Sequence, residues 1–180
     1  MSERLACFKA YDVRGVVPGE LNPDLARRIG RAVAEETRGN MASVGFDTRL
    51  SSREIADAVI GGLNDSGVDV ADIGLCGTEM VYFATAKYDY DIGVMVTASH
   101  NPPEYNGLKM VRHESRPISG DSGLYDVERI AREQSFTRDG NGSCVERDVY
   151  RDFADHLLRV VNPRSIGPLK VLANAGNGCA

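Results

Sequence analysis

The chain has 180 residues, of which 42% are hydrophobic and 26% charged, and its net charge is −5. This is the composition of a folded globular protein and excludes overall disorder. The acidic balance argues against non-specific nucleic-acid binding, which needs a basic surface, and no apolar run approaches the roughly 18–20 residues of a membrane span.

In chain order, the N-terminal MSERLACFKAYD carries charges and no apolar stretch, so it does not read as a secretory signal. Cys7, Cys76, Cys144 and Cys179 are dispersed, with no CxxC pair. They read as reduced thiols of a cytoplasmic protein, not as a zinc site or a disulfide framework. A helix is expected from Asn22-Pro23-Asp24, where Asn caps and Pro suits the first turn. Its apolar positions are Leu25, Ile29 and Val33, and Gly39 ends it. Met41–Phe46 reads as a strand. Ser51 or Ser52 is placed to cap a second helix with Ile55, Val59 and Leu63 on one face. A strand over Val68–Leu75 follows, then a helix from a Thr78 cap to about Lys87. Asp91–Thr97 is an apolar run of strand length. An Asn106-Gly107 turn is expected to lead into a strand over Leu108–Arg112. Asp121–Glu133 reads as a helix facing inward through Leu124, Val127 and Ile130/Ala131.

Strands separated by helices predict an α/β fold: a mixed, mostly parallel sheet sandwiched by helices. The polar, glycine-containing stretch Arg138–Ser143 is expected to end the domain, giving a first domain over residues 1–145. Residues 146–163 then read as a linker helix, with Val149, Phe153, His156/Leu157 and Val160 roughly on one side. Residues 164–180 read as the truncated start of a second, similar domain: a strand over Leu169–Ala173, then a glycine-rich turn over Asn174–Ala180.

Parallel sheets bind ligands at the carboxyl ends of their strands, which directs attention to Thr97–Lys109, TASHNPPEYNGLK. Ser99 directly follows the apolar strand. Pro102-Pro103 stops any helix from continuing, so the loop is stiff and projects Ser99 and His100 into a cleft. Lys109 lies ten residues on and can return to the same face. A serine hydrolase would need a nucleophile elbow of the G-x-S-x-G kind, which is absent here. Two readings stay open on the residues alone. One is a plain polar loop. The other is a phosphoryl-carrying serine beside a lysine, since phosphoryl transfer needs a nucleophile, charge neutralisation and a proton acceptor.

TASHNPPEYNGLK resembles the phosphoserine loop of the α-D-phosphohexomutase family, the phosphoglucomutases and phosphomannomutases. Lys9–Gly15 (KAYDVRG) is similar to that family's N-terminal YDIRG-type motif, and Gly45–Ser51 (GFDTRLS) to its GxDxRxS segment. Gly77–Thr85 (GTEMVYFAT) and Arg116–Gly123 (RPISGDSG) resemble the bacterial phosphomannomutase branch in particular.

The resemblance implies that Ser99 carries a phosphoryl group whose oxygens also bind an essential Mg²⁺, and that Lys109 is the general base. It implies that His100 and Asn101 shape the phosphoserine site, His100 by positioning Ser99. Tyr11 and Arg14 would face substrate or phosphate, Arg14 as a planar fork able to bind two oxygens. Asp47 and Arg49 would organise the loop from below. The implied substrate is a phosphohexose, interconverted between mannose 6-phosphate and mannose 1-phosphate through a hexose 1,6-bisphosphate that also serves as activator. The product would supply nucleotide-mannose synthesis. Phosphoglucomutase or dual specificity is the alternative within the family. The family's aspartate loop of the DGDxDR kind, its sugar-recognition loop and its final phosphate-binding loop have no counterpart in these 180 residues. The remaining Mg²⁺ ligands are therefore missing from the chain, which is expected to be an N-terminal fragment; the alternative of another class is a catalytically incompetent α/β module.

Overall fold

The structure is a computed structural model that describes residues 4–174. Beyond Asn174, the glycine-rich turn expected near the chain end lies outside the described residues, as does Cys179.

Seven strands form one sheet: β1 (Val13–Val16), β2 (Met41–Phe46), β3 (Asp69–Leu75), β4 (Ile92–Val96), β5 (Tyr105–Arg112), β6 (Arg116–Pro117) and β7 (Cys144–Glu146). Their order is β1-β5-β4-β2-β3-β7, with β6 beside β5. The strands β4, β2, β3 and β7 run parallel, while β5 is antiparallel to β1, β4 and β6. Among the described residues there are five α-helices, α1 (Pro23–Thr37), α2 (Ser52–Asp65), α3 (Thr78–Lys87), α4 (Leu124–Glu133) and α5 (Tyr150–Val160); the first four flank the sheet, and α5 rests on α3 through Phe153 and His156 against Phe83. The expected mixed α/β architecture is thus present.

The main core lies between the sheet and α1, α2 and α4. Leu25, Ile29 and Val33 of α1, Ile55, Val59 and Leu63 of α2, and Leu124 and Val127 of α4 meet Val13, Val44, Val94 and Leu108 there. A smaller core on the other face joins Val81 and Ala84 of α3 to Ile73, Met95 and Val149. The β4 strand is buried along its whole length because both faces are covered. The helix starts follow the sequence only in part. The Asn22 side chain accepts from the Leu25 N–H at 2.9 Å as expected. Ser51 occupies the N-cap of α2 without capping it, and the cap of α3 is Gly77, with Thr78 the first helical residue.

The α1 and α2 helices touch backbone to backbone. A Cβ on Gly62 would lie 2.0 Å from the Arg27 carbonyl oxygen, and one on Gly30 would lie 2.4 Å from that of Val59. A glycine inside a helix ordinarily costs about 0.5–1 kcal/mol relative to alanine. Here that cost is outweighed by a closer helix crossing.

Two expectations, the Asn106-Gly107 turn and the Leu169–Ala173 strand, need correction. Asn106 and Gly107 do not turn the chain; they sit within β5, opposite Gly15 and Arg14 of β1. The reversal occurs earlier, over residues 97–104. Residues 138–143 do not end the sheet's contribution from the chain. The Arg138 guanidinium donates to the Ala34 and Gly39 carbonyls at the end of α1, at 3.0 and 2.7 Å, and β7 then extends the sheet beside β3, across the boundary expected at 145. Leu169–Ala173 forms no strand and is exposed; no strand among the described residues lies alongside to take up its backbone hydrogen bonds.

Glu35 fastens residues 137–138 to α1. Its carboxylate accepts the Thr137 N–H at 2.5 Å, the Thr137 hydroxyl at 2.9 Å, and the Arg138 N–H. Burial alone would push its pKa up, but these donors and the Arg38 charge hold it below the ordinary 4.5. A depressed carboxyl contributes stability that is present above its unfolded pKa and lost as pH falls through the folded one. Glu35→Gln should therefore lower stability at pH 7 by about 1–3 kcal/mol and flatten the loss of stability below about pH 4.5; urea titrations across pH check this. Gly62→Ala should destabilise by about 1–3 kcal/mol, opposite in sign to the usual helical Gly→Ala gain, as thermal melting would show.

Candidate active site

The site forms where β4 gives way to β5. The all-apolar run Ile92–Val96 fixes the strand, and the chain then emerges as Thr97-Ala98, both buried, followed by Ser99 and His100, both exposed. The buried pair anchors the loop and the exposed pair is what it offers to solvent. Ser99 adopts a left-handed φ of 54°. Arg38 and Gln134 share that conformation as helix C-caps, where it is common; Ser99 ends no helix. For a residue with a Cβ it costs roughly 1–2 kcal/mol, so surrounding contacts must hold it.

Those contacts come from Asp47 and Arg49, just past the end of β2. Asp47 is 2% exposed. Its carboxylate accepts the Ser52 hydroxyl at 2.5 Å, the Thr97 hydroxyl at 2.7 Å and the Arg49 N–H at 3.1 Å. The Arg49 side chain, also nearly buried, lies 3.5 Å from the same carboxylate through Nε. Its two terminal nitrogens donate to four loop carbonyls: Ser99 at 2.9 Å, Asn101 at 2.6 Å, Pro102 at 2.8 Å and Tyr105 at 2.9 Å. Asn106, buried in β5, donates to the hydroxyls of Ser51 and Ser52 at 2.8 and 3.0 Å. This engages the Ser51 hydroxyl with β5 instead of its own helix.

Cationic groups gather on the sheet face that carries α3. The Arg14 guanidinium donates to the Asn101 side-chain oxygen and to the Asp12 carboxylate, both at 2.6 Å. Lys109 Nζ lies 3.8 Å from the same Asp12 oxygen. Its neighbours in β5, Leu108 and Met110, face the main core, which turns Lys109 to the opposite side. His100 Nδ1 stands 3.3 Å from Ser99 Oγ. Burial first, and the Asp12 charge second, push the Tyr82 phenol up, so Tyr82 stays protonated beside this group. Burial likewise lifts the Cys7 and Cys76 thiols to about 11 and about 12, which suppresses the thiolate a cysteine nucleophile requires.

The structure thus gathers five of the six sequence-chosen residues into two connected groups, Ser99 with His100, and Arg14 with Asn101 and, through Asp12, Lys109. Tyr11 is 79% exposed beside Asp12 and outside those bonds. Arg14, expected as a phosphate fork, turns its two terminal nitrogens onto protein oxygens. Sequence reasoning missed Asp12, which links Arg14 to Lys109, and Thr97, which links Asp47 to the serine. Both lie inside the quoted motifs. Two cations sharing one carboxylate leave an excess of positive charge, suited to an anionic group of about −1.5 to −2 such as phosphoserine.

Comparison with known proteins places the chain in a family. The family model for phosphoglucomutase/phosphomannomutase, alpha/beta/alpha domain I, matches residues 6–138. The chain belongs to this family. It is 48% identical over 184 residues to the phosphomannomutase of Escherichia coli strain K12, covering 99% of this chain and 40% of that protein. It is 47% identical to a Xanthomonas campestris protein named phosphohexose mutases, with 98% and 40% covered. A solved phosphoglucomutase/phosphomannomutase family protein from Burkholderia thailandensis superposes with a TM-score of 0.80 at 36% identity, over 88% of this chain and 36% of that one. The chain therefore spans about two-fifths of the length of the curated relatives it matches.

The left-handed Ser99 makes a direct prediction. Ser99→Gly should be more stable than Ser99→Ala by about 1 kcal/mol, because only glycine adopts this φ without strain. Equilibrium urea unfolding of the two variants checks it.

Proposed function

We propose that this chain supplies the phosphoserine module of a phosphomannomutase that interconverts mannose 6-phosphate and mannose 1-phosphate in the cytoplasm. The observation that carries the reading is Ser99 itself: exposed beyond the carboxyl end of a buried strand, held in a left-handed conformation, and set in a loop that Arg14 bonds at Asn101, with Lys109 joined to Arg14 through Asp12. The phosphomannomutase names of relatives at 48% identity supply the sugar.

In this reading phospho-Ser99 donates its phosphoryl group to a free hydroxyl of the phosphohexose. The bond from phosphorus to Ser99 Oγ breaks as the bond to the sugar oxygen forms. Lys109 Nζ takes up the hydroxyl proton as it gives one of its own ammonium protons to the leaving Ser99 Oγ, so the serine hydroxyl is restored and the lysine charge is unchanged. The resulting hexose 1,6-bisphosphate reorients and returns its other phosphoryl group to Ser99. Asn101 and Arg14 border the loop where the transferring group would sit, Tyr11 faces the substrate, and His100 orients Ser99 Oγ. Asp12 keeps Arg14 and Lys109 together before the phosphate arrives.

A divalent ion such as Mg²⁺ would neutralise phosphate charge when bound. The described residues do not fit a complete site for it. Among them no three His, Cys, Asp or Glu side chains come together to hold a metal ion, and Ser99 brings phosphate oxygens only once modified. Mg²⁺ therefore takes no part in the steps above, and we infer that further ligands come from elsewhere.

The test is turnover by the protein expressed from its complete reading frame, supplied with mannose 1-phosphate, Mg²⁺ and a hexose 1,6-bisphosphate. Mannose 6-phosphate should form, phosphate should map to Ser99, and Ser99→Ala should lower the rate by about 10³-fold or more. Faster turnover of glucose 1-phosphate would make it a phosphoglucomutase or dual-specificity enzyme. Full activity in Ser99→Ala would refute the role of the serine.

A further inference from the structure

Both peptide groups of Ser99 are tied to one buried ion pair. On the amino side, the Ser99 N–H donates to Thr97 Oγ1 at 2.9 Å. The Thr97 hydroxyl spends its single proton on Asp47 Oδ2 at 2.7 Å, which leaves its lone pairs facing the Ser99 N–H. On the carbonyl side, the Ser99 oxygen accepts from Arg49 at 2.9 Å, and Arg49 is itself held against Asp47. Thr97 is 5% exposed and Asp47 2%, so water does not readily replace either partner. The two ties enclose the one residue of this loop with a positive φ.

We infer that Thr97 is a positioning residue for phosphoryl transfer: with Asp47 and Arg49 it locks Ser99 in the left-handed conformation that aims Oγ out of the loop. Thr97 touches no substrate. It acts by fixing the torsion of the reacting residue, and the strain at Ser99 is held by the hydroxyl relay and the carbonyl clamp together. Arg49 is equally a positioning residue and not a phosphate ligand, because its terminal nitrogens are committed to four carbonyls. Near-attack geometry is sensitive to displacements of about 1 Å, which cost as much as about 10²-fold in rate. Releasing the Ser99 peptide should therefore lower the maximal rate and leave substrate affinity alone. The rate effect rests on the proposed phosphoserine role; the conformational lock does not.

The test has a structural arm and a kinetic arm. In the 180-residue chain, NMR should show the Ser99 amide protected from exchange and backbone shifts and couplings of a left-handed residue. Thr97→Val, which keeps shape and removes the hydroxyl, should abolish both signatures, while Thr97→Ser keeps them. Arg49→Lys, whose ammonium cannot span four carbonyls, serves as the second variant should Thr97→Val not fold. An unprotected or extended Ser99 in the wild type, or unchanged signatures in the folded Thr97→Val or Arg49→Lys variant, would overturn the lock.

In the protein from the complete reading frame, phosphorylation of Ser99 by a hexose 1,6-bisphosphate is followed by intact mass. Thr97→Val should slow the saturating rate about 10- to 100-fold, with the half-saturating concentration unchanged and Thr97→Ser restoring the rate. Glu35→Gln, remote from the site and also destabilised, should keep the wild-type rate. An equal loss in Glu35→Gln, or a change confined to half-saturation, would overturn positioning. Absence of phosphate on wild-type Ser99 would overturn the phosphoserine reading and with it the rate effect, whatever the NMR outcome for the lock.

Discussion

The buried pair of Asp47 and Arg49 is the constraint on which the site depends. Burying two charges costs several kcal/mol per ion unless each finds partners. Here the partners are the loop itself. Asp47 accepts from Ser52, Thr97 and a backbone N–H, and the two terminal nitrogens of Arg49 donate to four carbonyls of the 97–105 segment, with its Nε 3.5 Å from Asp47. Neither charge is tolerable without the loop, which Arg14 also holds at Asn101 and the Val17 N–H at the Glu104 carbonyl. Removing one partner would leave an uncompensated buried charge, a loss of about 3–5 kcal/mol. The pair links the ends of β2 and β4, two adjacent parallel strands, so the sheet register sets where the serine stands.

Around this pair the fold divides its labour. The α1, α2 and α4 face is a dense apolar core with helices in backbone contact, and it supplies rigidity. The α3 face is thinner and carries the polar groups: Asp12 just before β1, Arg14 on β1 and Lys109 on β5, with Tyr82 on α3 beside them. The antiparallel insertion of β5 between β1 and β4 creates this arrangement. It brings a motif near the N-terminus beside one 87 residues later, so that Arg14 meets Asn101.

Much of this was legible from residue order. The apolar stripes marked α1, α2 and α4, and the apolar run marked β4 as a strand, which the structure shows buried along its whole length. The position of Ser99 after that strand directed attention to the candidate site before any contact was known. What misled was Asn106-Gly107, a strong local turn signal. Its meaning is long-range: a Cβ at Gly107 would lie 2.2 Å from the Val13 carbonyl oxygen, so the glycine serves strand packing. Asn106 is a buried donor to two serines, not a turn residue. The β7 strand was invisible because three exposed residues, Cys-Val-Glu, carry no periodicity; only the neighbouring β3 edge makes them a strand. Leu169–Ala173 erred the other way, with strand composition but no partner beside it. The polar anchors Asp12, Thr97 and Arg49 sat in recognisable motifs, yet their bonding follows from three-dimensional proximity that spacing alone does not encode.

The Arg49 clamp has an electrostatic consequence beyond holding the chain. A peptide group is a dipole with its negative end at oxygen. By drawing the carbonyls of Ser99, Asn101, Pro102 and Tyr105 inward onto one guanidinium, the fold withdraws four negative dipole ends from the outer surface of the loop. A dianion placed on Ser99 Oγ then faces less of the repulsion that a freely oriented loop would present. The buried arginine thereby tunes the field at a group it never touches, and makes the loop's surface hospitable to negative charge without adding a cation to it.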